Sequence, residues 1–352
     1  MAGEARNVSR LKEALWWRPE GDGSVVCYLC PRYCRIGDGQ AGFCYIRENT
    51  GGTLYSLAYE QPCAVHVDPI EKKPLFHFMP GASILSLGTA GCNMGCKFCH
   101  NWEISKSRED QVRSRRLTPV DVVDAAGSRN CAALAFTYNE PTIWGEYVID
   151  IARQARPRGL KTVMVTNGYV TPEALPDIYR NIDAANVDLK AFTEQFYRKV
   201  TLTHIEPVLK TLPALKSMGV WVEVTNLLIP TLNDGMDEVR ELSKWLINNL
   251  GPDQPLHFTA FHPDFRMTNL PATPHETLHE ARQVALAAGL NHVYEGNVVC
   301  DEGGTTWCPG CGAALITRTW HTVRENHIVD GSCPCGRRIP GYFPPGPSFA
   351  PC

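Results

Sequence analysis

The sequence predicts an α/β fold in which six strand–helix units form a partial (β/α)6 barrel. Short apolar runs rich in β-branched residues recur between residues 84 and 260, and stretches with helical character lie between them. Alternation of strands and helices at this spacing indicates parallel βαβ units. The chain has 352 residues, which is enough for one large barrel or two ordinary domains. Because a closed barrel needs eight units, we expect the sheet to be open or partial.

Six apolar runs are the predicted strands. They cover residues 84–87, 133–136, 162–165, 186–189, 220–224 and 256–260. Helices are predicted at 118–126, 142–155, 172–180 and 236–249. Functional residues of such a sheet lie at the C-terminal ends of the strands, so the residues that follow each run are the first candidates for a site.

Two cysteine-rich segments flank the predicted barrel. We expect a cysteine-rich N-terminal extension over residues 1–80, the barrel over 81–302 and a small four-cysteine, zinc-ribbon-like module over 303–343. The last residues, 344–352, are rich in proline, and this composition predicts a disordered tail.

The composition excludes several classes of protein. With 44% hydrophobic and 20% charged residues, the chain is typical of a soluble globular protein. Its formal net charge of −3 provides no basic field for nucleic acid, so no nucleic-acid partner is expected. No apolar run is long enough for a membrane helix, and the first residues lack the apolar region of a secretory signal. We therefore expect a cytoplasmic protein without a membrane partner.

The 15 cysteines are the most informative feature of the chain. Disulfides are rare in a reducing cytosol, so we interpret the cysteines as metal or redox ligands. Most of them fall into two groups of four and one group of three. Four thiolates suit a closed site, whereas three leave one coordination position open. The groups are Cys27, Cys30, Cys34 and Cys44; Cys92, Cys96 and Cys99; and Cys308, Cys311, Cys333 and Cys335.

The central group has the spacing C-x3-C-x2-C and follows the first predicted strand directly. Three thiolates on one short loop can bind three irons of a 4Fe–4S cluster and leave the fourth iron free for a small molecule. The alternative is a zinc site with His100 as the fourth ligand. Cys99 and His100 are adjacent in the sequence and would have difficulty reaching the same ion, so the cluster is favoured.

With the aromatic Phe98 before the last cysteine, this spacing resembles that of the radical S-adenosylmethionine (SAM) superfamily. The chain is more closely similar to the branch of pyruvate formate-lyase activating enzymes, and within that branch to the radical SAM member of the AmmeMemoRadiSam system. The resemblance extends over nearly the whole chain. It includes motifs at residues 27–31, 68–75, 91–99, 101–105, 137–142 and 187–190 and the C-terminal cysteine module.

The resemblance implies a radical SAM barrel that binds a 4Fe–4S cluster and SAM. In this superfamily the open iron binds the amino and carboxylate groups of SAM, and one-electron reduction cleaves the C5′–S bond to give a 5′-deoxyadenosyl radical. The radical removes hydrogen from an unactivated carbon, while the protein positions the cofactors and excludes water. An electron donor such as flavodoxin or ferredoxin is therefore an expected partner.

The resemblance also implies which residues bind SAM. Glu140 and Asn139 would meet its amino group, Lys190 its carboxylate and Asp188 its ribose. Asn167, which follows the third predicted strand, would contact SAM or the substrate.

Phe98 would pack on the adenine, and His262 would contact the adenosine. Several of the implied SAM residues also have an ordinary structural interpretation. Asn139 fits a helix N-cap before Pro141, and Asn167 fits a simple turn. Phe98 and His262 could equally be a core aromatic residue and a structural histidine.

The two flanking cysteine groups predict metal sites. The C-terminal group resembles two knuckles of a zinc ribbon, although Cys333 and Cys335 are one residue closer than usual, so a degenerate module without metal is the alternative. The irregular spacing of the N-terminal group suits zinc, while the same four thiolates allow an auxiliary 4Fe–4S cluster. We favour structural zinc for both groups.

The sequence does not identify the substrate. Basic side chains near the matched motifs favour an anionic, polar small molecule, with His100 and Cys300 as candidate catalytic residues. One hypothesis is decarboxylation or dehydration of a sugar acid or nucleoside in antibiotic biosynthesis, by a lyase or an oxidoreductase. The alternative is an activating enzyme that installs a glycyl radical on a partner protein. A non-catalytic iron–sulfur and zinc protein is disfavoured by the several SAM-type motifs.

Overall fold

The structure is a computed structural model that describes residues 11–344. The predicted disordered tail, apart from its first residue, lies outside the described residues. None of the helices in this part of the chain has the length and apolarity needed to cross a membrane.

The N-terminal segment forms two small antiparallel sheets, each with three strands. Their strands, in chain order, are β1 (Lys12–Glu13), β2 (Trp17–Pro19), β3 (Val25–Cys27), β4 (Arg35–Ile36), β5 (Arg47–Thr50) and β6 (Thr53–Ser56). One sheet has the order β1-β6-β5 and the other β2-β3-β4.

An eight-stranded open sheet is the centre of the molecule. Its strands are β7 (Ala64–Pro69), β8 (Ser83–Gly88), β9 (Ala133–Phe136), β10 (Lys161–Thr166), β11 (Ala184–Asp188), β12 (Trp221–Leu228), β13 (Leu256–Ala260) and β14 (Val293–Gly296). The strands lie in sequence order across the sheet. Strands β8 to β14 are parallel, and β7 pairs antiparallel with β8 at one edge.

All six predicted strands are confirmed as members of this sheet, and so is the α/β class. Parallel strands are buried on both faces, which explains why they are continuous apolar runs in the sequence. Strand β9, for example, is buried at all four positions. The sequence analysis missed two strands: β14, which is short, and β7, which comes from the predicted N-terminal extension.

Helices follow the parallel strands, and all but the last of them connect one parallel strand to the next. They are α1 (Trp102–Ser105), α2 (Pro119–Gly127), α3 (Gly145–Ala155), α4 (Leu175–Tyr179), α5 (Glu194–Phe196), α6 (Glu206–Ser217), α7 (Met236–Leu250), α8 (His275–Ala287) and α9 (Asp301–Gly304). The four predicted helices are present, but the one predicted at 142–155 begins with a 3-10 turn, Pro141–Trp144. Helices α6 and α8 were not predicted; Pro213 inside α6 obscures its helical pattern.

The C-terminal module is a three-stranded antiparallel sheet of β15 (Thr306–Trp307), β16 (Ala314–Thr319) and β17 (Thr322–Asn326). Arg318 of β16 is fully buried and attaches the module to the barrel. Its guanidinium lies 3.6 Å from Glu71, which follows β7, and donates to the carbonyl of Gly304, which follows β14, at 3.1 Å. Arg318 therefore joins segments that follow the two edge strands of the open sheet.

Two buried histidines lie where the module meets the base of the barrel. The ring nitrogens of His77 contact the Pro340 carbonyl at 2.7 Å and the Tyr294 hydroxyl at 2.5 Å. The ring of His292 lies 4.5 Å from that of His77, and neither of its nitrogens has a hydrogen-bond partner among the described residues. Burial lowers the pKa of His77 to about 4 and the pKa of His292 to about 2.

We expect these histidines to make the fold sensitive to acid. In the unfolded chain they gain protons below about pH 6.5, whereas the folded chain keeps them neutral, so stability is full above that pH and falls below it. Each histidine should remove about 1 kcal/mol of stability one pH unit below its unfolded pKa. Urea unfolding at pH 7.5 and 5.5 should therefore show a smaller acid-induced loss for His292→Leu than for the wild type. The exposed His66 provides the control His66→Leu, which should behave like the wild type. An equal loss in His292→Leu and the wild type would contradict the prediction.

Candidate active site

A cleft of about 920 Å³ is lined by residues at the C-terminal ends of the parallel strands and extends along the strands to Asp68, which pairs with Ile84 near the start of β8. Residues at or directly after strands β8 to β14 contribute to its wall, as expected for a site in such a sheet. The C-terminal module adds Trp320 and His321 to the wall. Ten of the predicted site residues line the cleft: Cys92, Cys96, Phe98, Cys99, His100, Asn139, Glu140, Asn167, Asp188 and Lys190.

The cysteine loop, residues 89–99, follows β8 and is fixed through its backbone. Gly91 adopts a φ of 82°, and a Cβ there would collide with the carbonyl oxygen of Cys44, so the position requires glycine. The amide of Gly91 donates to the Ile104 carbonyl at 2.9 Å, and that of Gly95 donates to the Thr201 carbonyl at 2.8 Å. The loop is therefore held between the N-terminal segment and the helical segments that follow β8 and β11.

The three cysteines of this loop present their thiols to the cleft. Cys96 is buried, and Cys92 and Cys99 are half-buried. In the described part of the chain, these three sulfurs do not all lie within 4.8 Å of one another, as the ligand atoms of a site for one metal ion would. This spacing disfavours the alternative of one zinc ion shared with His100 and fits a cluster in which each sulfur binds a different iron.

Asn139 fastens the cysteine loop to the end of β9. Its amide nitrogen donates to the Thr89 hydroxyl at 3.0 Å and to the carbonyls of Ala90 and Gly91 at 3.2 and 2.9 Å. Its amide oxygen accepts from the Thr89 backbone and from the Trp144 indole. The N-cap interpretation of Asn139 is wrong, because Glu140 is the residue that caps the following 3-10 turn.

Glu140 is buried with its carboxylate among three donors. It accepts from the backbone of Asn167 at 2.7 Å, the hydroxyl of Thr166 at 2.7 Å and the backbone of Thr142 at 2.9 Å. Burial raises the pKa of Glu140 although these hydrogen bonds oppose the shift. A cationic group in the cleft would stabilise the charged carboxylate.

Asn167 connects the end of β10 to the cysteine loop. Its side-chain amide donates to the Asn93 side chain at 2.8 Å, and Asn93 in turn donates to the Tyr169 carbonyl at 2.8 Å. The polar atoms of Asn139 and Asn167 are thus already engaged with protein groups. Both residues line the cleft, but their side chains also position the loop that bears the cysteines.

Lys190 and Asp188 form an ion pair at the end of β11, with 2.7 Å between Nζ and the carboxylate. Burial opposes the charge on Lys190, but the neighbouring carboxylate outweighs it and raises the pKa of Lys190. The ammonium also lies 5.8 Å from the ring of Phe98, which packs beside Phe196. The structure therefore places an ammonium, a carboxylate and an aromatic ring together beside the cysteines.

His100 and His262 are neighbours at the surface, where His100 follows the cysteine loop and His262 follows β13. The Nε2 of His100 lies 3.0 Å from the carbonyl oxygen of His262, so this nitrogen bears the proton that it donates. His100 lines the cleft, whereas the exposed His262 is not among the lining residues. The adenosine contact predicted for His262 stays a prediction.

Cys300 is not among the residues that line the cleft. Its sulfur accepts from the Gly303 backbone at 3.3 Å and lies within 4.8 Å of ligand atoms of His275 and Glu295. Glu295 faces α8, while its neighbour Gly296 faces the cleft. The alternation of side chains along β14 therefore directs the Cys300 group away from the cleft.

Sequence reasoning missed a charged cluster in the cleft wall. Asp68 accepts from Lys72 at 3.0 Å, from Lys73 at 2.8 Å and from the Tyr138 hydroxyl at 2.7 Å. Although partial burial opposes it, these hydrogen bonds hold the pKa of Asp68 well below its usual range. The motif at residues 68–75 was the available signal, but its contact with Tyr138 is not visible in a sequence.

The C-terminal cysteines form a compact group. All four sulfurs lie within 4.8 Å of one another, and the pairs Cys308–Cys335 and Cys311–Cys333 are each separated by 3.7 Å. Tetrahedral zinc with bonds of about 2.3 Å would place its sulfur ligands about 3.8 Å apart. The short Cys333–Cys335 spacing therefore does not prevent the group from binding one metal ion.

An open parallel sheet with three cysteines on the loop after its first parallel strand defines an iron–sulfur enzyme of the radical SAM type. The family model of the radical SAM superfamily matches residues 86–246, and the chain belongs to this superfamily. Membership implies a 4Fe–4S cluster and SAM as cofactors. The three thiols, the Glu140 carboxylate and the Lys190 ammonium around one cleft fit these cofactors.

The chain is similar to several named proteins. It is 44% identical over 308 residues to an uncharacterized protein of Methanocaldococcus jannaschii, with 88% of this chain and 92% of that protein covered. It is 24% identical over 178 residues to the pyruvate formate-lyase-activating enzyme of Clostridium pasteurianum, covering 49% and 72% of the two chains. A solved domain of a pyruvate-formate lyase-activating enzyme from Bacteroides vulgatus superimposes with a TM-score of 0.42 at 17% identity, covering 47% of this chain and 99% of that one.

We expect Asn139→Ala to weaken cluster binding without unfolding the barrel. The change leaves buried loop carbonyls without a donor, at about 1–3 kcal/mol for each group. Loss of groups that orient metal ligands typically lowers affinity by about 10- to 100-fold. Iron retained after anaerobic reconstitution and a chelator challenge should therefore fall sharply, while the circular dichroism spectrum is preserved. Asn249→Ala, at an exposed position of α7, is the control. Equal iron retention in the two variants would show that Asn139 does not hold the loop.

Proposed function

We propose that this radical SAM enzyme removes hydrogen from a polar, anionic small molecule. The observation that supports this proposal most directly is one group of charged side chains in the cleft wall. Two ammonium groups, Lys72 and Lys73, share the single carboxylate of Asp68. One positive charge is therefore left over beside the cleft, where it would attract an anionic group.

The shape of the cleft also supports a small substrate. Trp320 and His321 of the C-terminal module line the cleft, and His321 lies near Asp68, Lys72 and Lys73. The module is joined to the barrel through the buried Arg318, which also donates to the Phe76 carbonyl at 2.7 Å. A cleft with a wall held in this way favours a small molecule over a protein loop.

The cofactors would be held by residues already placed around the cleft. Cys92, Cys96 and Cys99 would bind the cluster, while Glu140 and Lys190 would meet the amino and carboxylate groups of SAM. The chemistry that the cofactors supply when bound is hydrogen abstraction by a 5′-deoxyadenosyl radical. Phe98 would provide an apolar surface for the adenine, and the buried loop would limit access of water.

His100 is the candidate for proton transfer. Because its Nε2 donates to the His262 carbonyl, Nδ1 is the atom available to accept or return a proton. Cys300 is not included in this role, because it lies beside His275 and Glu295 and does not line the cleft.

An activating enzyme that installs a glycyl radical on a partner protein is the second candidate. Its support comes from the relatives, several of which are named pyruvate formate-lyase-activating or glycyl-radical enzyme activating enzymes. Both candidates use the same cofactors and an electron donor of the flavodoxin or ferredoxin class. They differ in the source of the hydrogen atom.

We further propose that the C-terminal cysteine group binds a structural zinc ion. The sulfur spacings of 3.7 Å support this, as does the absence of an open position in a four-thiolate site. Since Trp320 and His321 belong to the same module, zinc would stabilise one wall of the cleft.

The hydrogen source can be identified by isotope transfer. Reduced enzyme with SAM is incubated with candidate anionic substrates, such as uronic-acid nucleosides deuterated at the sugar C4 position, and 5′-deoxyadenosine is analysed by mass spectrometry. We expect deuterium to enter 5′-deoxyadenosine, with carbon dioxide as a coproduct if the substrate is decarboxylated. If deuterium enters only from glycine-labelled partner protein, the activating-enzyme candidate is correct and the small-molecule proposal is wrong.

Metal analysis of Cys311→Ser tests the zinc proposal. The variant should lose about one zinc per chain and keep the iron of the central site. The matched control is Cys131→Ser, a buried cysteine that belongs to none of the three groups. Equal zinc contents in the two variants would remove the assignment.

A further inference from the structure

The four N-terminal cysteines surround one small cavity beneath the cysteine loop. Cys27, Cys30 and Cys44 are buried, and Cys34 is half-buried. All four line the cavity together with apolar side chains such as Ile36 and Ile143. Four free thiols that line one cavity are candidate metal ligands, and the type of metal centre that they suit depends on how far apart the sulfurs lie.

The sulfur spacing distinguishes this group from the C-terminal one. In the described part of the chain, the C-terminal sulfurs lie within 4.8 Å of one another, whereas no such group is formed by the N-terminal cysteines or by the three of the cysteine loop. Thiolates that share one ion must be close, while those of a 4Fe–4S cluster each bind a different iron and lie farther apart. The N-terminal group, like the three cysteines of the loop, therefore lacks the compact spacing of the C-terminal group.

A buried donor also faces this cavity. Arg47 is 1% exposed, and its terminal nitrogens bind the Glu146 carboxylate at 3.0 and 2.9 Å. Its Nε has no hydrogen-bond partner among the described residues, although the residue lines the cavity. Hydrogen bonds to cluster sulfur atoms tune iron–sulfur centres, and a free N–H in this place would supply one.

The cavity adjoins the cysteine loop directly. Asn93, between Cys92 and Met94 in the loop, is one of the residues that line it. Arg32, another lining residue, donates to the Asn93 carbonyl at 2.5 Å. Gly91 lies against the Cys44 carbonyl so closely that no Cβ fits between them. The cavity that the N-terminal thiols line is thus in direct contact with the cysteine loop.

We propose that Cys27, Cys30, Cys34 and Cys44 bind a second 4Fe–4S cluster that relays electrons to the cluster on the cysteine loop. A one-electron carrier of the flavodoxin or ferredoxin class is oxidised by one electron and reduces the N-terminal cluster. That cluster then returns to its oxidised state as it reduces the central one, and no atom or proton is transferred. The proposed path of the electron depends on the radical SAM chemistry proposed for the central site. The identity of the metal bound by the four N-terminal cysteines does not depend on that chemistry.

This assignment replaces the zinc that the irregular sequence spacing favoured. Irregular spacing along the chain does not determine the spacing of sulfurs in space. Here Cys27 comes from β3, Cys30 and Cys34 from the turn between β3 and β4, and Cys44 from the segment between β4 and β5, so the four residues approach the cavity from different segments.

Metal analysis and EPR spectroscopy of variants test the site. The variant Cys92→Ala/Cys96→Ala/Cys99→Ala, reconstituted anaerobically, should keep about four irons per chain and give the signal of a reduced 4Fe–4S cluster. Adding Cys30→Ser and Cys34→Ser should abolish that iron and signal, whereas adding Cys311→Ser should not. Zinc in place of iron in the first variant, or no metal beyond the C-terminal ion, would overturn the proposal.

The wild-type protein provides a test that does not depend on the folding of variants. It should contain about eight irons, and SAM should alter the EPR signal of only part of the reduced iron. An iron content of about four, all of it responsive to SAM, would overturn the proposal.

The relay is tested by the reductant. Cys34→Ser should lose rapid reduction of the central cluster by flavodoxin, while photoreduced deazaflavin still reduces it, as followed by absorbance and EPR. Unchanged reduction by flavodoxin would overturn the relay. These measurements require no turnover of a substrate, so they stand apart from the proposed reaction.

Discussion

The side-chain amide of Asn139 is the interaction on which the geometry of the cleft depends. The cysteine loop has an irregular backbone, and its carbonyls cannot pair in the sheet. The two N–H groups of a single buried amide serve three acceptors of this loop, and its oxygen accepts from the Thr89 backbone and from the Trp144 indole. Because Glu140 is the next residue, the carboxylate expected at the SAM amino group is fixed relative to the thiols by one peptide unit. A change that moves the cysteine loop would therefore also move the carboxylate expected to bind SAM.

Much of the polar chemistry at the strand ends serves two purposes. Asn167 faces the cleft and at the same time binds Asn93 of the cysteine loop. Glu140 accepts from Thr166 and Asn167 of the neighbouring strand end. Buried polar groups are tolerated when each has a partner, and these partners come from three different βα connections. These hydrogen bonds can form only when the neighbouring parallel strands are paired in register, so the pairing of the strands also assembles the site.

The sequence predicted the parts of the fold and site that depend on local patterns. Buried parallel strands are continuous apolar runs, and the three cysteines of the central group lie within eight residues, so both could be recognised along the chain. Long-range contacts could not: Asp68 and Tyr138 are 70 residues apart, and Trp320 reaches the cleft from a separate module. Cys300 was misplaced for a different reason, because it follows β14 but lies on the face of Glu295. The spacing of the N-terminal sulfurs is likewise set by the turns between short strands.

The position of Arg318 in the chain has a consequence for biosynthesis. This residue joins the segments after the first and last strands of the sheet, yet it is made after all of them. During translation the strands can pair while the C-terminal module is still in the ribosome, so the nascent barrel is open on one side. Docking of the C-terminal module through Arg318 can complete this wall of the cleft only after all eight strands of the sheet have been synthesised.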